Sequence, residues 1–447
     1  MNAIDAAVAP EEIPLRRVVV ASLIGSVIEW YDYIIYGTMA ALVFNKIFFP
    51  DFDPAVGTLL AFATFAIGFL ARPLGGAIFG HYGDRLGRKS MLVITLMLMG
   101  VATFLFGVLP TYETAGIFAP IALVTLRFIQ GLAVGGEWGG ATLMTMEYSP
   151  AGRRGFFSSL PQIGVPAGLL LSTVTLAIVT GAMSDEEFLA WGWRLPFLLS
   201  LILVAVGLFI RLKIVETPEF AQVKASGTEA KLPLVDVVRS HPRNLLIAAA
   251  TRVANNGLFY ILTVFTISYG TGELGLDKDV IFRGVIIGSA VGLLTIPAYG
   301  ALSDRVGRRP VILGGAIFMA LFAFPLFIML GSGSSFIIAL GIILGLNISH
   351  DSQYATQAAF ICELFPPRLR YSGISLAYQL PSAVVGGLAP LIASGLVIWA
   401  GGAYWGVALY MIGLALITII PVYLAKETLN RADSDRGSVA HDSAQVS

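Results

Sequence analysis

The sequence predicts an all-α membrane protein with twelve transmembrane helices in two pseudo-symmetric bundles of six, and three observations carry that reading. The chain is oily: of its 447 residues 56% are hydrophobic and 13% are charged, roughly half the charged share of a soluble domain. Its apolar residues gather into twelve segments of bilayer length. Its polar punctuation repeats half a chain later.

The composition excludes as much as it predicts. Lys and Arg balance Asp and Glu at 28 each, so there is no basic field to draw in nucleic acid. A single cysteine, Cys362, excludes an intramolecular disulfide. The N-terminus is polar through Arg17, and the first apolar stretch is long enough to span and lacks a cleavage site, so no cleaved signal is expected.

A span needs about 20 apolar residues. On that ruler segments fall near 18–44, 57–80, 90–110, 116–147, 158–181 and 191–213, then near 244–270, 281–302, 310–331, 334–363, 371–400 and 402–425. The chain divides into a tail (1–17), an N-terminal bundle (18–213), a polar linker (214–243) with room for a short surface helix, a C-terminal bundle (244–428) and a disordered tail (429–447). Basic residues crowd the connections after segments 2, 4, 6, 8 and 10, with Arg85, Lys89, Arg153, Arg211, Arg243, Arg305 and Arg368 among them. The opposite loops carry only Lys46, Lys278 and Arg283, with Arg194 at a helix edge. By the positive-inside rule both termini are expected in the cytoplasm.

The repeat is explicit. Gly80, Asp84, Arg85, Gly87 and Arg88 after segment 2 return as Gly300, Asp304, Arg305, Gly307 and Arg308 after segment 8. Glu147 and Arg154 at the end of segment 4 return as Glu363 and Arg370 at the end of segment 10, with the same seven-residue step. Glu216-Thr217 and Glu427-Thr428 close segments 6 and 12. The chain is a duplicated six-helix unit. The Asp-Arg-x-Gly-Arg run is expected to form a tight turn whose carboxylate caps a helix end and pairs with arginines. It serves either as loop geometry with topological charge or as a charge latch that releases in one conformation.

These loops resemble the signature of the major facilitator superfamily. Gly25-Ser-Val-Ile-Glu29-Trp30-Tyr31-Asp32, Arg72-Pro73-Leu-Gly75-Gly76 and the run from Arg127 through Gln130 to Glu137 resemble the metabolite:proton symporters within it. Gly136-Glu137-Trp138-Gly139-Gly140, Trp191-Gly192-Trp193-Arg194 and Asn347-Ile-Ser-His350-Asp351 look most like the shikimate branch. The resemblance implies a proton-coupled carrier of a small organic solute, a carboxylate by preference, with protons as coupling ion and no other cofactor. A monomer embedded in the inner membrane is expected, with no nucleic-acid partner. Segment 10 departs at Gln353-Tyr354-Ala-Thr356-Gln357 and segment 7 at Arg252-x-x-Asn255-Asn256, which bears on the substrate rather than the family.

Charges at bilayer depth cost several kcal/mol and point to function. Segment 1 carries Glu29 and Asp32, and Asp32 lies roughly 22 Å in from Arg17 at about 1.5 Å per residue. Arg127 lies roughly 30 Å above Glu147 on the same measure, so both fall in the outer half. An Asp32–Arg127 pair there either couples to protons or is a static pair, and the resemblance to proton-coupled sugar carriers extends the coupling roles to both. Glu137 is either a proton site or a brace. Arg72, close above the repeated motif, is expected to snorkel and act structurally.

A site near the midplane between the halves would draw on Tyr31, Tyr36, Gln130 and Gln162 from the first half. From the second it would draw on Arg252, Asn255, Asn256, Asn347, His350, Asp351, Tyr354, Gln357, Tyr378 and Gln379. Hydroxyls and amides suit a polyhydroxylated ring, and Arg127 or Arg252 could receive a carboxylate. Each is equally a candidate for interhelical hydrogen bonding. No nucleotide-binding G-x-x-x-x-G-K-[ST] loop, H-E-x-x-H pair or G-x-S-x-G elbow occurs. Export and solute sensing stay open beside import.

Overall fold

In a computed structural model the protein is described over residues 15–52, 54–213, 216–226 and 232–429. Among the described residues, twelve helices are long and apolar enough to cross a bilayer. In the first half they are α1 (Leu15–Met39), α2 (Ala63–Leu86), α3 (Arg88–Val108), α4 (Phe118–Tyr148), α5 (Ala151–Gly181) and α6 (Gly192–Leu212). In the second they are α7 (Pro242–Gly272), α8 (Lys278–Val306), α9 (Arg308–Leu330), α10 (Ser335–Glu363), α11 (Pro367–Trp399) and α12 (Trp405–Leu424). No strand occurs among the described residues. The terminal tails and the middle of the linker lie outside them.

Side chains are distributed as lipid requires. Leu321 and Ile398 are 74% and 78% exposed, whereas the guanidinium-bearing Arg88 and Arg308 are 0% exposed. Water would select the reverse order. Within the first half α1 packs on α5, α2 on α4, and α3 on α4 and α6. Within the second, α7 and α9 pack on α12, and α8 on α10. Between halves α2 lies along α11 and α8 along α5. Since α8 and α5 stand six helices from α2 and α11, these two seams are one pairing used twice.

Several local expectations change. The repeated motif is not a loop. Residues 80–86 and 300–306 complete the last turns of α2 and α8, and the break is one residue wide, at Gly87 (φ 109°) and Gly307 (φ 100°). Only glycine tolerates that backbone without strain, so α3 and α9 start at once. The linker holds two short helices, Pro218–Ala225 and Pro233–Ser240, the first capped by Thr217, whose Oγ1 accepts from the Phe220 N–H at 3.3 Å. Regular α-geometry fails in the middle of three second-half helices: α7, α10 and α11 widen into π-turns at Ile261–Phe265, Gly345–His350 and Ser382–Gly386. Such widenings collect at functional positions, and the one in α10 carries Asn347 and His350.

Candidate functional site

Three polar groupings lie inside the apolar shell. The first belongs to the N-terminal half. Asp32 Oδ2 accepts from Thr103 Oγ1 of α3 at 2.7 Å, Thr103 accepts from Gln130 Nε2 at 2.8 Å, and Gln130 Oε1 accepts from Arg127 Nη1 at 2.5 Å. The direct Asp32–Arg127 ion pair expected from the sequence is therefore not formed. A threonine and an amide stand between the charges. The Arg127 guanidinium lies over the rings of Tyr36 (4.0 Å) and Phe65 (4.9 Å), a favourable use of a desolvated cation. Asp32 Oδ1 is buried with no hydrogen-bond partner among the described residues.

Glu29, Tyr33, Gly68, Arg72, Arg127, Gln130, Gly131 and Val134 line a narrow cleft beside this chain, with room for about one water molecule. Arg72 is here, 6% exposed, rather than snorkelling to the motif end. It stands twelve residues before Asp84, about 18 Å along the helix at 1.5 Å per residue, which is beyond a side chain's reach. Its guanidinium lies over Tyr33 (4.7 Å) and Phe69 (4.5 Å).

Glu137 sits apart from the cleft. It is bound to Arg211 of α6 in a buried ion pair and accepts from Thr95 Oγ1 at 2.9 Å. Arg211 thus leaves the set of loop charges to which its position at the end of segment 6 assigned it. It fits because Gly25 has no Cβ, which would overlap the guanidinium.

The second grouping lies in the C-terminal half. Arg252 donates to Asn255 Oδ1 at 2.6 Å and packs over Tyr378 at 3.7 Å and Tyr354 at 5.6 Å, with Asn256 and Ser382 each at 3.5 Å. Asp351 accepts from Asn347 Nδ2 at 2.8 Å and from Thr295 Oγ1 of α8 at 2.5 Å, and it meets His350 Nδ1 at 2.9 Å. The His350 ring stacks on Tyr354, centroids 5.1 Å apart. Gln357 is fully buried, and neither amide atom has a hydrogen-bond partner among the described residues.

Aromatic and amide contacts close the gap between halves. Trp138 of α4 stacks on Tyr378 at 3.6 Å, Phe69 meets Tyr260 at 5.8 Å and Trp30 meets Phe259 at 5.9 Å. Gln379 Nε2 donates across to the Gly135 carbonyl at 3.1 Å. Four sequence candidates for solute contact are occupied elsewhere. Tyr31 donates to the Pro196 carbonyl at 3.0 Å, Tyr36 bonds Thr64 at 2.7 Å, Gln162 accepts from Trp138 at 2.9 Å, and Gln379 bridges the halves. Their polar atoms pair between helices because buried polar groups must find partners. Tyr33, Arg72, Thr103, Trp138 and Thr295 were missed. Only Arg72, a charge inside an apolar run, carried a signal.

The third grouping is the repeated motif. Asp84 accepts from the backbone N–H of Tyr371 (3.2 Å) and Ser372 (2.8 Å), which open the α-helical part of α11. Asp304 accepts from Gly155 and Phe156 of α5, both at 2.8 Å. A carboxylate there meets donors that a helix start leaves free and the positive end of its dipole. Each aspartate caps a helix of the opposite half, so the motif end is closed. Arg88 lies 3.4 Å from Asp84 and Arg308 2.7 Å from Asp304. Glu147 bonds Arg370 across the halves at 3.2 Å, and Arg308 lies 3.2 Å from Glu363. Arg85 and Arg305 point outward, while Arg154 is buried.

Comparison with known proteins agrees with this architecture. A sugar (and other) transporter family matches residues 18–236 and the major facilitator superfamily matches residues 284–442. The chain is 44% identical to the shikimate transporter of Escherichia coli K12, over 92% of this chain and 95% of that protein. It is 40% identical to the inner membrane metabolite transport protein YhjE of the same strain (93% and 95%) and 36% identical to the proline/betaine transporter of Salmonella typhimurium (93% and 84%). The fold matches the proton:xylose symporter XylE bound to 6-bromo-6-deoxy-D-glucose, with a TM-score of 0.75 at 15% identity over 94% and 98% of the two chains. With relatives that are transporters rather than enzymes, the chain belongs to the major facilitator superfamily, in the branch that includes the shikimate transporter and the metabolite transport proteins.

Proposed function

We propose that this protein is a proton-coupled symporter that imports a small organic acid, shikimate or a near analogue, across the cytoplasmic membrane by alternating access. It acts as a monomer with both termini in the cytoplasm. The observation that carries the reading is the buried chain from Arg127 through Gln130 and Thr103 to Asp32, beside a cleft lined by the first half. A protonatable carboxyl and a fixed cation that communicate through reorientable hydroxyl and amide groups form a two-state element. Protonating Asp32 turns an acceptor of the Thr103 hydroxyl into a donor; if Thr103 then donates to Gln130, the turned amide can no longer accept from Arg127, a donor only, and the guanidinium is released to the cleft.

The exposed basic residues at the motif end, Arg85, Arg153, Arg243, Arg305 and Arg368, support a cytoplasmic placement of that end. With Asp84 and Asp304 engaged, the chain is then closed toward the cytoplasm. The polar second-half groups around Arg252, Asp351 and Tyr354 suit a hydroxylated ring, and the relative at 44% identity is named for a carboxylated one.

The test is uptake into liposomes under an imposed inward proton gradient, comparing labelled shikimate with citrate and betaine. Gradient-driven shikimate uptake is expected, and Asp32→Asn is expected to abolish accumulation while solute exchange continues. Thr103→Val, which cuts the relay but keeps the volume, should lower accumulation about tenfold, the equivalent of one buried hydrogen bond to a charged group. Uptake of none of the three solutes overturns the assignment in favour of export or sensing.

A further inference from the structure

Arg72 is the unexplained charge of the cleft. It is buried, yet among the described residues it has no hydrogen-bond or ion-pair partner, and its guanidinium is held between the Tyr33 and Phe69 rings. The other two interior arginines that could receive an anion are already engaged: Arg127 donates to Gln130 at 2.5 Å and Arg252 to Asn255 at 2.6 Å. A planar guanidinium stacked between rings keeps its donor edge free, which suits bidentate capture of a carboxylate.

The only carboxyl lining the cleft is Glu29, also buried and also without a hydrogen-bond or ion-pair partner among the described residues. Arg72 faces it from α2, Glu137 from α4 and Arg211 from α6, with Asp32 a turn on in α1. From the second half the Tyr260, Tyr354 and Tyr378 hydroxyls are within its electrostatic range. Glu137 and Arg211 neutralise each other. Around the cleft, Arg72 and Arg127 against Glu29 and Asp32 also sum to zero. A solute carboxylate adds one negative charge to that balance, and an uncompensated charge in a dry interior is too costly to keep.

We propose that Arg72 receives the carboxylate of the transported acid and that Glu29, sharing its cleft, takes up the entering proton first, before it reaches Asp32. The inference rests on the organic-acid reading above and names the residue that enforces it. Arg72 is the specificity determinant, distinguishing an acid from its neutral ester. Glu29 ties the affinity for the acid to pH, because an ionised Glu29 opposes a second carboxylate at the same cation.

The experiment measures KM for shikimate and for its methyl ester in proteoliposomes of the full chain at two pH values. The wild type is expected to prefer the acid, with KM rising several-fold as the pH is raised by about two units. Arg72→Gln should raise KM for the acid about tenfold to a hundredfold, the size of a lost charge-assisted hydrogen bond, and erase the preference over the ester. Glu29→Gln should keep the preference and flatten the pH dependence. Wild-type KM and wild-type acid preference in Arg72→Gln overturn the inference while the organic-acid reading stands. Failure of the wild type to take up shikimate, citrate or betaine overturns that reading and this inference with it. If Arg72→Gln does not fold, Arg72→Lys decides. A lysine keeps the charge but not the fork and should raise KM several-fold with the preference retained, and an unchanged KM overturns the assignment.

Discussion

Asp84 and Asp304 hold the same position in their repeats and each caps the first turn of a helix in the opposite half, yet the arginines four residues on are wired differently. Arg88 reaches out of its half to the Pro367 carbonyl at 2.8 Å, and Glu147 behind it bonds Arg370 of the other half at 3.2 Å. Arg308 stays at home: it bonds Asp304, Ser303 at 2.8 Å and Glu363, and Glu363 in turn accepts from Thr428 at 2.5 Å. The Asp84 and Glu147 side chains are wholly buried, whereas Asp304 and Glu363 retain 6% and 4% exposure. One duplicated motif thus serves in its first copy as a clasp between halves and in its second mainly as a brace within a half. Duplication fixed the capping role, and divergence acted on what stands behind the cap.

The sharpest way to break that contrast is to remove each arginine. Taking one partner from a buried charge network costs about 3–5 kcal/mol. Arg88→Leu should spend that energy on the closed state. Spin labels at positions 85 and 368, both on exposed arginines, should show a longer distance and a larger open population by double electron–electron resonance. Arg308→Leu should spend it on the second bundle itself, lowering Tm with a smaller shift in that distance. Equal opening by both variants would make the two copies functionally identical.

A smaller effect tests the Glu147–Arg370 bond between the halves. A double-mutant cycle of Glu147→Gln and Arg370→Gln, read as the open-to-closed ratio, should yield a coupling of about 1.5–3 kcal/mol, the range for a hydrogen bond between charged groups. Glu363→Gln should leave that ratio close to wild type, since its partners Arg308 and Thr428 are both in its own half. A zero coupling at Glu147–Arg370 would remove the clasp from the first copy.

What the sequence disclosed follows the same division between periodic and cooperative features. Twelve spans, the duplicated unit and the pairing of Asp84 with Asp304 were legible because apolar length and repeated spacing are properties of one strand of text. The fates of Arg72, Arg127 and Arg211 were not. Whether Arg127 meets Asp32 directly depends on Thr103, a residue of α3 whose type is ordinary in any membrane helix. Whether Arg211 lies in a loop or in a buried pair depends on a missing Cβ at Gly25 on another helix. Tyr31 and Gln162 looked like solute ligands because a polar atom's partner is set by the neighbouring helix, Pro196 in one case and Trp138 in the other. Arg72 was expected to snorkel, although the twelve residues to Asp84, about 18 Å at 1.5 Å per residue, place it too deep.

The glycines give the finest comparison. Gly87 and Gly307 adopt nearly the same left-handed backbone, φ 109° and 100°, with ψ 153° and 158°. Any other residue there costs about 1–3 kcal/mol. The strain is shared, so the difference between Gly87→Ala and Gly307→Ala isolates the surroundings. A Cβ at Gly307 would stand 2.7 Å from Glu427 Oε2, and one at Gly87 would overlap Glu216 Oε2 more closely. Each glutamate bonds the two backbone N–H groups that open the next helix: Glu216 those of Arg88 and Lys89 at 3.0 and 3.2 Å, Glu427 those of Arg308 and Arg309 at 2.9 and 3.1 Å. Displacing the carboxylate therefore uncaps α3 or α9. Gly87→Ala should lower Tm further than Gly307→Ala by the equivalent of less than about 1 kcal/mol. It should also carry the greater loss of closed population, because the helix it uncaps begins at Arg88, the residue that reaches across to Pro367.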